Sequence, residues 1–343
     1  MMNAIKPVSK NDGPAVSITP SLIRSENLSV AFATDEGYCE AITDVTCSVG
    51  AGESVGLVGE SGSGKSVTCG ALLGQVAPGG RVVQGRIYWE ESPIFPDHKH
   101  ARALKSVRGR KMVTIPQDPM TALDPVFTVG YQITEVCRNV GGMSRKSARG
   151  RAIELLELVG VPSSATRLSQ YPHEFSGGMQ QRVLIAMALA AEPELIIADE
   201  PTTALDVTVQ SQILDLLRSL KESLGLALLL VTHDLGVVAE VCDRILVMYS
   251  GRIVEEGDCR QIFNDAQHPY TKGLLASTPR IDLDARGRLT GIPGSPPTPF
   301  HRPNGCAFRP RCPDAIDKCL EVPMLEEVTG RRVACWVAQE RNL

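Results

Sequence analysis

The run Gly59-Glu60-Ser61-Gly62-Ser63-Gly64-Lys65-Ser66 constrains this chain more than any other. It follows Val55-Gly56-Leu57-Val58 and precedes a helical stretch from Lys65 to Leu73, so a strand feeds a glycine loop that opens a helix. Glycines let backbone N–H groups approach phosphate oxygens, and the helix start adds the positive end of its dipole. Lys65 would neutralise β and γ oxygens and Ser66 would ligate Mg²⁺. A chance glycine turn before a lysine would not carry this strand and helix on either side.

The rest of the chain supplies an α/β rhythm around that loop. Residues 22 to 57 alternate apolar and polar side chains between turn residues, and Arg81 to Trp89 reads as a further strand after Pro78-Gly79-Gly80. From Val129 to Val159 the pattern is helical and more polar, and another helix runs from Ser176 to Ala191: together an inserted helical subdomain. Buried strands at Leu195 to Ala198, Leu226 to Val231 and Ile245 to Met248, with a helix from Val209 to Ser223, predict a mostly parallel sheet.

Two features carry chemistry beyond the loop. Asp199 ends the apolar run Leu195-Ile196-Ile197-Ala198, so it emerges at the exposed end of a buried strand where it can hold a metal ion, with Glu200 beside it as a base for water. Ser176-Gly177-Gly178 places a hydroxyl and two unobstructed amides at a second helix start, another anion site. One triphosphate needs only one such cradle. The second is therefore assigned to a nucleotide held by a partner subunit.

Composition narrows the classes. The net charge of −4 gives no positive field for a polyanion, so nucleic acid is not expected as a partner. The basic stretch from His98 to Lys111 lacks interleaved aromatics and reads as a solvated face. No apolar run approaches the roughly 20 residues that span a bilayer, and residues 1–20 read as a loose tail rather than a signal peptide. A place inside the cell is expected. Past Asp258 prolines multiply and the core runs vanish, which predicts a separate loop-rich module from residue 259 to 343. Of the ten cysteines, four crowd into that module as Cys306-x5-Cys312-Pro313-x5-Cys319-x15-Cys335. Four thiolates suffice for an iron–sulfur cluster or tetrahedral zinc, although zinc favours tighter Cys pairs than any present.

These blocks resemble the ATP-binding subunits of ABC transporters, from about residue 22 to the end. The resemblance implies a P-loop NTPase fold of ABC type over residues 21–258: a mostly parallel sheet, an antiparallel β subdomain and a helical subdomain, with a small loop-rich C-terminal domain. It makes Ser176-Gly177-Gly178 the signature that closes over the partner's ATP, and Ala204-Leu205-Asp206 the dimer-contact loop. Asp199, Ser66 and Gln117 become Mg²⁺ ligands, Glu200 the catalytic glutamate and His233 the switch histidine. Gln117 lies in Ile115-Pro116-Gln117-Asp118-Pro119, where the family commonly has an aromatic in place of Pro116. Phe32 matches the aromatic that stacks on adenine, with Tyr38 as its competitor.

His268-Pro269-Tyr270-Thr271-Lys272-Gly273-Leu274-Leu275 and the segment from Gly291 to Trp336 are similar to one subgroup, the ATPases of oligopeptide and dipeptide importers, with nickel importers as close relatives. That subgroup and the Cys-Pro step favour a [4Fe–4S] cluster on Cys306, Cys312, Cys319 and Cys335, with zinc or unmetallated thiols as the alternatives. The expected partners are two transmembrane permeases, a second ATP-binding subunit, either paralogous or identical, and an extracytoplasmic solute-binding protein. The expected location is peripheral, on the cytoplasmic face of the membrane. Two rivals stand beside this reading. A non-transport ATPase acting on DNA or ribosomes would usually carry a coiled-coil insertion or a second cassette, and a degenerate regulatory subunit would lack Glu200, Ser176 or His233.

Overall fold

The computed structural model describes residues 21–35, 37–96, 100–203, 205–277 and 291–341. The expected tail at residues 1–20, together with His98 and Ala204, lies outside them.

The chain opens with β1 (Ser21–Thr34) and β2 (Gly37–Gly50), an antiparallel hairpin, followed by β3 (Ser54–Val58), the phosphate loop and α1 (Lys65–Leu72). Then come β4 (Gly80–Trp89), β5 (Ser92–Phe95), α2 (Ala101–Val107) and β6 (Met112–Ile115). The helical insertion holds α3 (Pro119–Ala122), α4 (Val129–Asn139), α5 (Arg145–Leu158), α6 (Ser164–Arg167) and α7 (Gly177–Leu189). The chain returns through β7 (Leu195–Asp199), α8 (Val207–Leu224), β8 (Ala227–Thr232), α9 (Leu235–Val241), β9 (Arg244–Tyr249) and β10 (Arg252–Asp258). It finishes with α10 (Cys259–Asp265), α11 (Pro269–Ser277), β11 (Glu326–Val328), β12 (Arg331–Val333) and α12 (Trp336–Glu340).

Two sheets result. A four-stranded antiparallel sheet runs β2-β1-β4-β5, and an eight-stranded sheet runs β11-β12-β10-β9-β3-β8-β7-β6. Its centre, β9-β3-β8-β7-β6, is wholly parallel. Those strands are near-continuous apolar runs because both faces are covered: Leu195 to Ala198 and Ala227 to Thr232 are buried throughout. α8 covers one face with Ile213, Leu214, Leu216, Leu217 and Leu220, a stripe at helical spacing. β3 sits between β8 and β9, away from its sequence neighbours, so the loop leaving it emerges mid-sheet beside the end of β8, one strand from β7.

The segment past Asp258 packs directly on the cassette. β12 pairs with β10 and extends the main sheet, with β11 outside it. Tyr270 and Phe308 are buried in the main core, where both pack on Tyr249 at ring distances of 4.5 and 5.2 Å. Glu255 of β10, fully buried, accepts the N–H groups of Gln267 (2.7 Å) and His268 (3.0 Å), fixing the entry to α11. Arg302 donates to the Ala41 carbonyl at 2.8 Å and to the Thr43 hydroxyl at 3.0 Å. Core runs are scarce in the tail because it borrows the core of the sheet it joins.

Candidate nucleotide site

The glycine loop closes tightly at the end of β3. Gly64 precedes α1 at φ 106°, and a β-carbon there would fall 2.7 Å from Ile42 Cγ2, so only glycine fits. Lys65, 5% exposed, turns its Nζ back to donate to the carbonyls of Gly59 (2.8 Å) and Glu60 (3.0 Å). Burial pulls the Lys65 ammonium below its ordinary pKa, while Glu200 and Asp199 oppose the shift. Ser61, Gly62 and Ser66 are exposed, and Ser63 is buried with its hydroxyl unpartnered among the described residues. A loop that presents its rim and satisfies its lysine internally is a cradle ready to exchange carbonyls for phosphate oxygens.

The edge where β6, β7 and β8 end brings three predicted residues together. Gln117 Nε2 donates to Glu200 Oε2 at 3.3 Å, and His233 Nδ1 lies 3.4 Å from Glu200 Oε1. The parallel register explains this, because Ile115 pairs with Ala198 and Asp199 with Val231, so the residues just past each strand share one edge. Glu200 adopts φ 45°, a left-handed conformation costly for a side chain with a β-carbon and found at functional sites. A third partner was not anticipated: Thr203 donates its hydroxyl to Glu200 Oε2 at 2.9 Å. Its spacing three residues past Glu200 was the available signal.

Asp199 is the metal candidate. Its Oδ1 is buried with no hydrogen-bond partner among the described residues, and burial raises its carboxyl above the usual range, partly offset by the Ser66 hydroxyl. An orphaned carboxylate oxygen beside a serine fits a Mg²⁺ site, since this ion is commonly bound through few protein groups plus substrate phosphates and water. Gln117 joins Glu200 instead in this structure.

The second helix start stands elsewhere. Ser176 caps α7 without a side-chain bond and is exposed with Gly177. Gly178 lies so close to the start of α8 that a β-carbon would fall 2.4 Å from Val209 Cγ1. Asp206, at that same helix start, accepts the Val209 N–H at 3.0 Å and serves as an N-cap. Phe32 is half-buried on β1, its ring close above Gly80, whereas Tyr38 is exposed and lies under the Arg81 guanidinium at 4.2 Å.

The four clustered cysteines converge. Cys306, Cys312, Cys319 and Cys335 line one enclosed hollow with His268, Phe308, Pro323 and Trp336. All ten cysteines of the chain are free thiols. Burial raises the thiols of Cys306 and Cys335, and pushes Cys312 up to about 11. Among the described residues no group of three or more His, Cys, Asp or Glu side chains is placed to hold a metal ion, which supports neither the expected [4Fe–4S] cluster nor the zinc alternative.

A phosphate cradle at the edge of a parallel sheet, with an aspartate and a glutamate at the end of β7, defines a P-loop ATPase built as an ATP-binding cassette. Residues 42–203 match the family described as ABC transporter, and residues 254–319 match the family described as oligopeptide/dipeptide transporter, C-terminal region. The chain is 46% identical over 325 residues to the oligopeptide transport ATP-binding protein OppD of Escherichia coli (strain K12), covering 94% of this chain and 95% of that one. It is 45% identical over 319 residues to the dipeptide transport ATP-binding protein DppD of Bacillus subtilis (strain 168), covering 92% and 94%. Among solved structures, the post-hydrolysis dimer of the ATP-binding cassette MJ0796 bound to ADP and Pi superposes with TM-score 0.61 at 29% identity, covering 69% of this chain and 99% of that one. The cbiO1 protein of Clostridium perfringens, part of the transporter complex cbiONQ, gives TM-score 0.61 at 26% identity, covering 72% and 92%. The chain belongs to the ATP-binding subunits of ABC transporters, in the branch of oligopeptide and dipeptide transport ATP-binding proteins. It is an ATPase that uses ATP with Mg²⁺.

Proposed function

We propose that this subunit powers import of dipeptides or oligopeptides from the cytoplasmic face of the membrane, where it is held peripherally by two permease subunits. Among the described residues no helix is long and apolar enough to cross a membrane, so other chains supply the pathway. A second ATP-binding subunit, paralogous or identical, completes the ATPase, and an extracytoplasmic solute-binding protein delivers the cargo. The observation that carries the reading is the likeness to peptide-transport relatives along both the cassette, residues 21–258, and the C-terminal segment, residues 259–343.

In this mechanism the loop from Gly59 to Ser66 wraps the triphosphate of ATP, Lys65 leaves its loop carbonyls for the β and γ oxygens, and Phe32 faces the adenine. Ser66, Asp199 and Gln117 would hold Mg²⁺, which would supply charge neutralisation for phosphoryl transfer. Glu200, held by Thr203, takes the proton of the attacking water, while His233 stabilises the γ-phosphate. Ser176, Gly177 and Gly178 close over the partner's nucleotide, with Asp206 at the dimer contact.

The test is ATPase activity of the complete complex in vesicles, with loaded binding protein outside. Stimulation by short peptides is expected. Stimulation by nickel and not by any peptide would move the cargo to the metal-importing relatives.

A [4Fe–4S] cluster held by Cys306, Cys312, Cys319 and Cys335 is part of this proposal, supported by the four free cysteines that line one hollow. Such a cluster would supply a structural staple or redox sensitivity to the tail. Chain purified without oxygen is expected to be brown, with about four irons per chain, and to bleach in Cys312→Ser or Cys319→Ser. Colourless, iron-free protein from that preparation would overturn the assignment.

A further inference from the structure

Glu60, which follows the first glycine of the phosphate loop, is gripped from the far end of the chain. Arg311 donates Nη1 to Glu60 Oε2 at 2.7 Å and Nη2 to Oε1 at 3.0 Å, a bidentate pair in which the arginine side chain is 5% exposed. Arg311 is itself fixed, its Nε donating to the Pro293 carbonyl at 2.9 Å and Nη2 to Ile292 at 3.3 Å. The Glu60 N–H donates to the Tyr270 hydroxyl at 2.8 Å, and the Glu60 carbonyl accepts from Lys65. The pair with Glu60 holds the Arg311 guanidinium still more firmly charged than usual.

This arrangement answers a question the loop itself raises. A carboxylate beside a cradle for a polyanion repels the ligand, and a partly dry site weakens that repulsion far less than water would. We propose that Arg311 is a positioning residue of the nucleotide site: it cancels the Glu60 charge beside the triphosphate and, with Tyr270, locks the loop from the C-terminal segment. The tail is thereby part of the ATP site rather than an appendage to it.

The experiment is equilibrium binding of ATP to the full chain, with circular dichroism to confirm folding. Arg311→Ala should weaken ATP about tenfold at low salt and less at high salt, as screening relieves the exposed repulsion. Glu60→Gln added to Arg311→Ala should recover most of the loss, because the charge that needed cancelling is gone. A purely structural role for Arg311 predicts no such recovery. Arg311→Gln keeps a polar side chain with one amide donor while losing the charge, and it should show the same loss if the alanine variant fails to fold. Wild-type affinity in Arg311→Ala or in Arg311→Gln, or a double variant as weak as Arg311→Ala, would overturn the proposal.

Discussion

Two helices of this chain begin on glycines beside serines, and the surroundings of the two starts differ completely. The start of α1 is enclosed: Lys65 is buried against its own loop, Gly64 is packed on Ile42, and Glu60 is clamped by Arg311 and Tyr270. The start of α7 is bare, with Ser176 exposed and its hydroxyl engaged in no cap. Similar local chemistry is thus enclosed at one start and left open at the other. An anion cradle is finished by what folds around it, and among the described residues none bonds the Ser176 hydroxyl as a cap.

The largest expected effect tests the completed site. Glu200→Gln should lower turnover by about 10²- to 10⁴-fold while ATP binding stays near wild type, since the amide keeps the contacts of the carboxylate but not its basicity. Turnover with ATP by the assembled complex reads it; wild-type turnover would remove Glu200 from the chemistry.

Next comes the bare site. If Ser176 closes over the partner's nucleotide as proposed, Ser176→Arg should leave ATP affinity of the isolated chain unchanged yet cut hydrolysis by the assembled complex by about 10²-fold. Loss of ATP labelling in the isolated variant would show the two starts to be one site after all.

A smaller effect sharpens the first site. Thr203→Val removes the hydroxyl that orients Glu200, and a hydrogen bond to a charged group is worth roughly 1.5–3 kcal/mol, so kcat should fall by about tenfold or somewhat more with KM little changed. An equal rise in KM would mean that Thr203 serves binding instead.

The least effect concerns the prop behind the loop. His268 is buried, accepts the Tyr270 N–H at 3.0 Å, and is held neutral by desolvation, its pKa lowered from 6.5 to about 3. Between those values the unfolded chain binds a proton that the folded one refuses. Stability is therefore full above about pH 6.5 and falls as the pH drops toward 3, by up to about 1.4 kcal/mol per pH unit. Denaturant unfolding at neutral and mildly acidic pH should show that slope, and His268→Asn should flatten it. An unchanged slope in the variant would assign the acid sensitivity to other groups.

Much of this was legible in the chain order. Glycine spacing marked the phosphate loop, and apolar runs ending in Asp199 or leading to His233 marked strand ends, because buried parallel strands are read from local hydrophobicity alone. The convergence of Gln117 and His233 on Glu200 followed once those strands were neighbours. Thr203 was missed because a threonine carries no motif by itself, and Arg311 because its partner lies 251 positions away.

The sequence by itself therefore determined the nucleotide chemistry, since a phosphate cradle needs only contiguous residues with the right backbone freedom and one lysine. It also marked four cysteines as a group by their spacing. Only the tertiary structure decided that the proline-rich tail is built into the sheet, that its cysteines face one hollow, and that Arg311 and Tyr270 reach the loop. The physical reason is that strand pairing at a sheet edge and a buried ion pair are set by which surfaces meet, and residues distant in sequence leave no local periodicity to announce it.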